Sequence, residues 1–538
     1  MMLRRARYKT SWITAGVAMS FVAIILLGAI GESTASISGV VLDEAGEPVT
    51  GATVRIQATE ISAMSSSDGT FTLIGLESGV EVTITGWKEY YYCVKEEHVV
   101  PPAEGIELVL RLYQTDDNPD FEWMLPFSDN PSMETCSHCM GDVATIWLDN
   151  SHAGAGTNAR FFSMYNGTDT TGTLLIAPGY AQDFPGTAGV CATCHAPGAA
   201  IDTPYSTNMN ELVGADVFGV HCDLCHKTAD VYLNPATRLP YDNVPGVLSM
   251  DIRRPFPEDP DRINLFFGTF DDVNTPEEDT KLTLISESQF CAPCHQFSFW
   301  GTPIYQSFRE WQESSYADEG ITCQMCHMPA PSVIDGKIMT NVAPGFGGVE
   351  RDPMMIHAHT QPGAANVELL QDTVEMTLDL AAEEDGSLIA MIAITNTKAG
   401  HHVPTDYPGR QMILVVSAID EERNELALIE GPVLPDWCGE QAGLPGVAYA
   451  KVLRDVETGK SPVVNYWKQT LIESDNRIAA FETDQSTYRF QSADGMITVR
   501  AVILFRRLFQ ELAEAKDWNM PDILMEEAKV TIVLGAAS

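Results

Sequence analysis

Basic side chains are scarce. The chain has 32 Lys and Arg against 74 Asp and Glu, a formal net charge of −42 in 538 residues. That balance excludes a nucleic-acid-binding role, because neutralising phosphates takes clustered Lys and Arg. The electrostatic partners of such a surface are cationic, and its exterior is strongly solvated. Long apolar runs are also lacking. Trp12 to Ile30 is uncharged over a membrane-spanning length and nothing downstream matches it, so helical anchoring of the chain rests on that one segment. Isolated cysteines are few. Ten of the twelve fall in C-x-x-C pairs, leaving Cys93 and Cys438, each read as a buried thiol. The spacing argues against the disulfide framework that a cysteine-rich exported chain otherwise brings to mind. Sustained hydrophobic periodicity is missing between about 136 and 365.

The N-terminus carries a compartment signal. Arg4, Arg5, Arg7 and Lys9 precede the apolar run, and the small residues of Ser33 to Ser36 offer a cleavage point after Ala35. A basic region followed by an apolar segment is an export signal. Residues 1–35 are therefore expected to be a signal peptide or an N-terminal membrane anchor, with residues 12–30 as the anchoring stretch. The protein is expected outside the cytoplasm, periplasmic or at the cell surface.

Four of the five pairs are followed at once by histidine: Cys191-Cys194-His195, Cys222-Cys225-His226, Cys291-Cys294-His295 and Cys323-Cys326-His327. C-x-x-C-H is the attachment motif of c-type heme. Two thiols add to the porphyrin vinyl groups, and the adjacent histidine becomes the proximal iron ligand. Zinc ribbons use paired C-x-x-C without a histidine after every pair, and a thioredoxin motif occurs once in a βαβ context. The step from Cys191 to Cys222 nearly equals that from Cys291 to Cys323, and "GVHCDLCHK" parallels "GITCQMCHM". Two heme pairs in series are expected.

A low-potential carrier needs a second histidine on each iron. Of 12 His, four are proximal and His138 lies inside a C-x-x-C. His98, His152, His221, His357, His359, His401 and His402 remain, and His152, His221, His359 and His401 would complete four bis-His sites. His98 lies in the N-terminal domain and is read as an ordinary surface residue.

"CATCHAP", "GVHCDLCHK", "QFCAPCHQFSFWGTPIYQSFREW", "GITCQMCHMP" and "GHHVPTD" together resemble an extracytoplasmic multiheme cytochrome c over roughly residues 136–538. The resemblance implies electron transfer through bis-His hemes, with His152 and His401 as distal ligands. Such proteins generally open with a C-x-x-C-H of their own. Here the first motif is Cys136-Ser-His-Cys139-Met140. Three readings stand open. Met140 ligates a heme held by Cys136 and Cys139, raising its potential. Alternatively the heme is attached but ligated by another side chain such as His357 or His402, with an open face. In the third, no heme is attached and the thiols form a disulfide or a vestigial pair.

The expected architecture is multidomain: a β-sandwich, an irregular, mostly loop and helix, multiheme cytochrome c domain, and a C-terminal β-sandwich. Residues 36–112 alternate apolar and polar side chains between Gly-rich turns, with Asp68-Gly69 as a hairpin signal. They resemble the carboxypeptidase regulatory-like domain, a transthyretin-like sandwich, which implies a spacer or adhesion role. Residues 113–135 form an acidic linker, residues 136–365 the heme domain, and residues 366–538 a second sandwich that supplies a heme ligand through His401. "SFREWQESSYA" and "FRRLFQELAEAKDW" are the expected helices. The function expected is electron carriage through four or five hemes, exchanging with other redox proteins or membrane electron carriers. The alternatives are a heme redox enzyme centred on Cys136 and Cys139, and an oligomeric cell-surface assembly.

Overall fold

The computed structural model describes residues 34–130, 132–257, 264–274, 278–491 and 495–534. The Trp12–Ile30 segment lies outside them. Among the described residues no helix is long and apolar enough to cross a membrane.

Seven strands build the N-terminal unit: β1 (Thr34–Asp43), β2 (Thr53–Ile56), β3 (Ser62–Met64), β4 (Thr70–Glu77), β5 (Val82–Trp87), β6 (Val94–Val99) and β7 (Ala103–Leu110). They form two sheets, ordered β4-β1-β7 and β3-β2-β5-β6. The period of two turns Ile37, Val41, Phe71, Leu73, Val54, Ile84 and Leu108 into one core between the sheets. Gly39 is obligatory in β1, because a Cβ there would sit 2.1 Å from the Ile106 carbonyl oxygen on parallel β7. Asp68-Gly69 is a genuine turn, with Gly69 at φ +78° and Asp68 accepting the Thr70 N–H and hydroxyl. It is not a hairpin, however. The strands on either side belong to different sheets, so this turn carries the chain across the sandwich.

The C-terminal unit is a second pair of four-stranded sheets. One runs β8 (Val374–Ala382), β9 (Leu388–Asn396), β13 (Thr483–Phe490), β11 (Leu428–Glu430). The other runs β12 (Gly446–Tyr449), β10 (Gln411–Ile419), β14 (Gly495–Arg506), β15 (Ile523–Leu534). All pairings are antiparallel. Ile392, Ile394, Leu414, Val416, Tyr488, Phe490, Val499 and Ile503 meet between them. Asp385-Gly386 closes the β8–β9 hairpin as expected, with Gly386 at φ +82°. Helix in "FRRLFQELAEAKDW" is confined to Gln510–Ala515, because Phe505 and Arg506 finish β14. "SFREWQESSYA" makes two short helices, Ser307–Gln312 and Ser315–Asp318.

Between the sandwiches the chain folds into helices of three to eight residues and strands of two to four. Both neighbours grip this region. Arg55 pairs with Asp271 at 2.9 Å, Trp87 Nε1–H donates to Thr280, and Tyr92 hydroxyl donates to the Asn264 carbonyl. From the other side Lys516 Nζ donates to the carbonyls of Ser163, Thr168, Ile176 and Pro178 at 2.5–3.0 Å. The acidic connector is also pinned: Arg254, 3% exposed, bonds Asp117 and Asp202, and the Met124 N–H donates to Asp223.

Candidate heme centre

The cysteine motifs fold alike because the i→i+4 bond of one helical turn brings a C-x-x-C pair and the next residue to one side. His195 N–H bonds the Cys191 carbonyl at 3.0 Å and His226 N–H bonds the Cys222 carbonyl at 3.0 Å. Met140 N–H bonds the Cys136 carbonyl at 3.1 Å. The motif that ends in methionine therefore keeps the backbone turn of the others. No disulfide joins any of the twelve cysteines.

The motifs converge on one cavity of about 1210 Å³, larger than the roughly 300–1,000 Å³ of pockets for a single small ligand. Its wall includes Cys136, Cys139, Met140, Cys191, Cys194, Cys222, Cys225, Cys291 and Cys294, together with His138, His152, His195, His226, His295, His357 and His359. The fifth motif reaches it through Thr322, Gln324 and Met325. Thiols from different motifs touch: Cys136 with Cys222, Cys194 with Cys294, and Cys291 with Cys323. Cys225 lies near enough to act electrostatically on Cys291 and Cys294. Burial pushes Cys191 and Cys225 up to about 12, so these are neutral thiols.

Histidines from distant segments meet in pairs. The rings of His226 and His359 lie 6.4 Å apart, centroid to centroid, with planes 25° from parallel. Those of His295 and His152 lie 6.3 Å apart at 85°. A metal–imidazole bond of about 2 Å puts two rings that share one ion about 6.3 Å apart. His327 and His401 also lie close enough to act on one another electrostatically. Burial is the main cause that holds His195, His327 and His359 down to about 4, with neighbouring imidazoles adding to it. His152 and His226 are lowered by burial as well. Neutral imidazole is the form that binds metal.

Tautomers are fixed by what Nδ1 touches. Nδ1 of His226 meets the Phe267 carbonyl at 2.6 Å, His327 the Pro362 carbonyl at 2.8 Å, and His152 the Gln361 Oε1 at 2.8 Å. His357 meets the Met328 carbonyl and His401 the His402 carbonyl, both at 3.0 Å. His295 meets Asp406 at 3.3 Å. Each contact places the proton on Nδ1 and leaves the Nε2 lone pair for a ligand. Asn150 joins two of these segments: its side-chain oxygen accepts the His152 N–H, and its Nδ2–H donates to the His359 carbonyl and to Gln361.

His221 is arranged the other way. Its Nδ1 accepts the Leu224 N–H at 3.2 Å, capping the Cys222–Cys225 helix, so the proton sits on Nε2, facing Asp216 at 3.6 Å. It is fully buried beside Trp123 and is not among the residues lining the cavity. His98 is exposed on the N-terminal sandwich against Glu81, and His402 faces Glu310.

The cavity also holds cations. Arg160, Arg410 and Arg507 line it, and among the described residues no carboxylate forms an ion pair with any of them. In a chain so rich in carboxylates, that is a place kept for the anionic groups of an occupant, and heme carries two propionates. Thiols, neutral imidazoles and unpaired arginines around an apolar space fit heme. Sequence reasoning missed Asp406, Gln361, Asn150 and these arginines. Asp406 ends the quoted GHHVPTD stretch and Asn150 stands two residues before His152, but nothing local marks their partners.

Residues 36–111 match the carboxypeptidase regulatory-like domain. No curated protein sequence matches the chain. Among solved structures the chain is similar to a penta-heme cytochrome c552 from Thermochromatium tepidum, at 20% identity and a TM-score of 0.52, covering 74% of this chain and 97% of that one. An N-terminal interface mutant of a type II Cohesin-X-Dockerin complex from Acetivibrio cellulolyticus overlaps 15% of this chain and 58% of its own at 18% identity, with a TM-score of 0.14, too slight to bear on the fold. The chain thus carries a carboxypeptidase regulatory-like domain at residues 36–111, and over 74% of its length it has the fold of a penta-heme cytochrome.

Proposed function

We propose that the chain is an exported electron carrier with four or five covalently attached c-type hemes, most of them ligated by two histidines. The observation that carries this reading is the pair of ring separations, 6.4 Å and 6.3 Å, each joining a C-x-x-C-H histidine to one from a distant segment across the cavity. Cys191, Cys194, Cys222, Cys225, Cys291, Cys294, Cys323 and Cys326 would hold four hemes, with His195, His226, His295 and His327 as proximal ligands. His359 would stand opposite His226, His152 opposite His295, and His401 opposite His327. His357, which lines the cavity with its Nδ1 on the Met328 carbonyl, would be a further candidate for the position that sequence counting gave His221. Bound heme supplies reversible one-electron chemistry. The chain's residues do the rest. Nδ1 acceptors orient the imidazoles, the aromatic wall excludes water, and the arginines balance anionic charge. The contacts between motifs set which centres are neighbours. Partners would be other redox proteins or membrane electron carriers, steered by the acidic surface.

Intact mass and a pyridine hemochrome assay on the same mature sample test the reading. Four or five covalent hemes are expected; none would overturn it. A second reading, a redox enzyme at Cys136 and Cys139, is favoured by Met140 keeping the motif's turn and lining the cavity. A fifth heme with a high-spin, cyanide-binding iron would select that reading. Five hemes without such a signal would leave a carrier.

A further inference from the structure

We propose that Asp406 tunes the Cys291/Cys294 site, its carboxylate accepting the His295 Nδ1 proton so that this heme becomes the hardest in the chain to reduce. The inference rests on the multiheme reading above and goes beyond it by assigning one residue a specific electronic role.

The placement is distinctive. Asp406 is 7% exposed. One carboxylate oxygen accepts the backbone N–H groups of Gln306 and Ser307, at 3.1 and 3.0 Å. The other accepts the Ser307 hydroxyl at 3.0 Å and faces His295 Nδ1 at 3.3 Å. The backbone bonds fix the carboxylate where the imidazole proton arrives. The other ligand histidines whose Nδ1 contacts are described meet neutral acceptors: the carbonyls of Phe267, Pro362, Met328 and His402, and the Gln361 amide oxygen. Among the described residues, His295 is the one C-x-x-C-H histidine with a carboxylate at Nδ1.

The physical consequence has a definite sign. A carboxylate draws the Nδ1 proton toward itself and makes the imidazole a stronger donor through Nε2. The iron couple gains one electron on reduction, with no bond made or broken. A stronger donor and a buried negative charge both stabilise the ferric form, so the potential falls. Arg410, the nearby cation, reduces this effect without pairing with Asp406.

Two substitutions push in opposite directions. Asp406 has φ +56°, a backbone conformation that Asn tolerates as well as Asp. Asp406→Asn therefore keeps an acceptor for the two backbone N–H groups, and removes both the charge and the acceptor that faces His295 Nδ1. Gln361→Glu puts a carboxylate on His152, across the same iron, with Asn150 still able to donate to it. The readout is an EPR-monitored redox titration of the holoprotein, following the signal of the perpendicular His152/His295 pair. In the unchanged protein that signal should be the last to be reduced. Asp406→Asn should shift the ferric/ferrous ratio of this heme about tenfold toward ferrous, about 59 mV upward for a one-electron couple, and Gln361→Glu should lower it. Intact covalent heme with an unmoved midpoint in both variants would overturn the tuning role alone. Absence of covalent heme would overturn the functional reading as well, and the hemochrome assay separates the two.

Discussion

The 25° between the rings of His226 and His359 and the 85° between those of His152 and His295 have a spectroscopic meaning. Parallel imidazoles act on the same iron d orbital and split it from its partner, whereas perpendicular ones leave the two nearly degenerate. Low-temperature EPR should therefore show a rhombic low-spin signal for the Cys222/Cys225 heme and a large-gmax signal for the Cys291/Cys294 heme. His359→Ala should turn the first high-spin while covalent heme is retained, and a spectrum unchanged by that substitution would remove His359 from the ligand set. Beside the same motif, Lys227 and Asp223 form a fully buried ion pair, closed by the Leu265 carbonyl, the Met124 N–H and the ring of Phe266. Breaking one side of such a pair strands a charge at a cost of about 3–5 kcal/mol. Lys227→Met should lower the denaturant midpoint of the holoprotein accordingly, while Lys227→Met with Asp223→Leu should recover much of the loss. The C-x-x-C-H histidines stand out in the sequence because thiol pair and imidazole are contiguous. The contact of the Leu224 N–H with His221 Nδ1 could not be foreseen from the place of His221 beside Cys222.

At the level of elements, turn chemistry proved readable but its destination did not. Asp68-Gly69 and Asp385-Gly386 present the same local signal, and one crosses between sheets while the other closes a hairpin. The difference lies in which strand waits to be paired, a long-range property. The same limit hid the docking of the N-terminal sandwich onto Asn264, Asp271 and Thr280, since Arg55, Trp87 and Tyr92 look like ordinary surface and strand residues in sequence. That contact has a titration of its own. Asp279 sits where its carbonyl accepts the Cys93 N–H, and burial pushes its carboxyl up to about 8. One carboxyl oxygen has no partner, as a protonated group allows. The folded state then holds a proton that the unfolded chain has released between about pH 4 and 8, so stability falls as pH rises through that window, by at most about 1.4 kcal/mol per pH unit. Asp279→Asn should flatten this slope and raise stability at pH 7. Thermal unfolding of holoprotein at pH 5, 6 and 7 would show it, and equal slopes in both proteins would mean that Asp279 is ionised in the fold.

Across the whole molecule, the two sandwiches and the region between them are held by different means. Each sandwich buries its own core of strand residues, large in the C-terminal unit and smaller in the N-terminal one. Among the described residues the middle region has a modest cluster of its own, around Tyr165, Met209, Leu224 and Val247, and shares two smaller ones with its neighbours, through Met164 and through Leu265 and Phe267, beside a cavity of about 1210 Å³. On the proposed reading, a bound heme gains dispersion contacts along the whole of that wall, so the middle region would depend on its occupant for a core. The same reading accounts for the missing sequence periodicity there, since a chain that wraps an apolar group need not pack one face of a helix or strand. Ligand-dependent folding follows from mass action, because whatever binds the native state alone stabilises it. Chain made without heme attachment should therefore be cut by protease first between about 136 and 365, while fragments carrying strands β1–β7 and β8–β15 persist. The anchors differ in kind, with Lys516 holding carbonyls of 163–178 and Arg55 holding Asp271, and neither can fill the cavity. Limited proteolysis of heme-free and heme-loaded protein, read by mass spectrometry, would show the difference directly. Equal resistance of the middle region in both forms would mean that its short helices and connector contacts are sufficient on their own, and that heme is cargo rather than core.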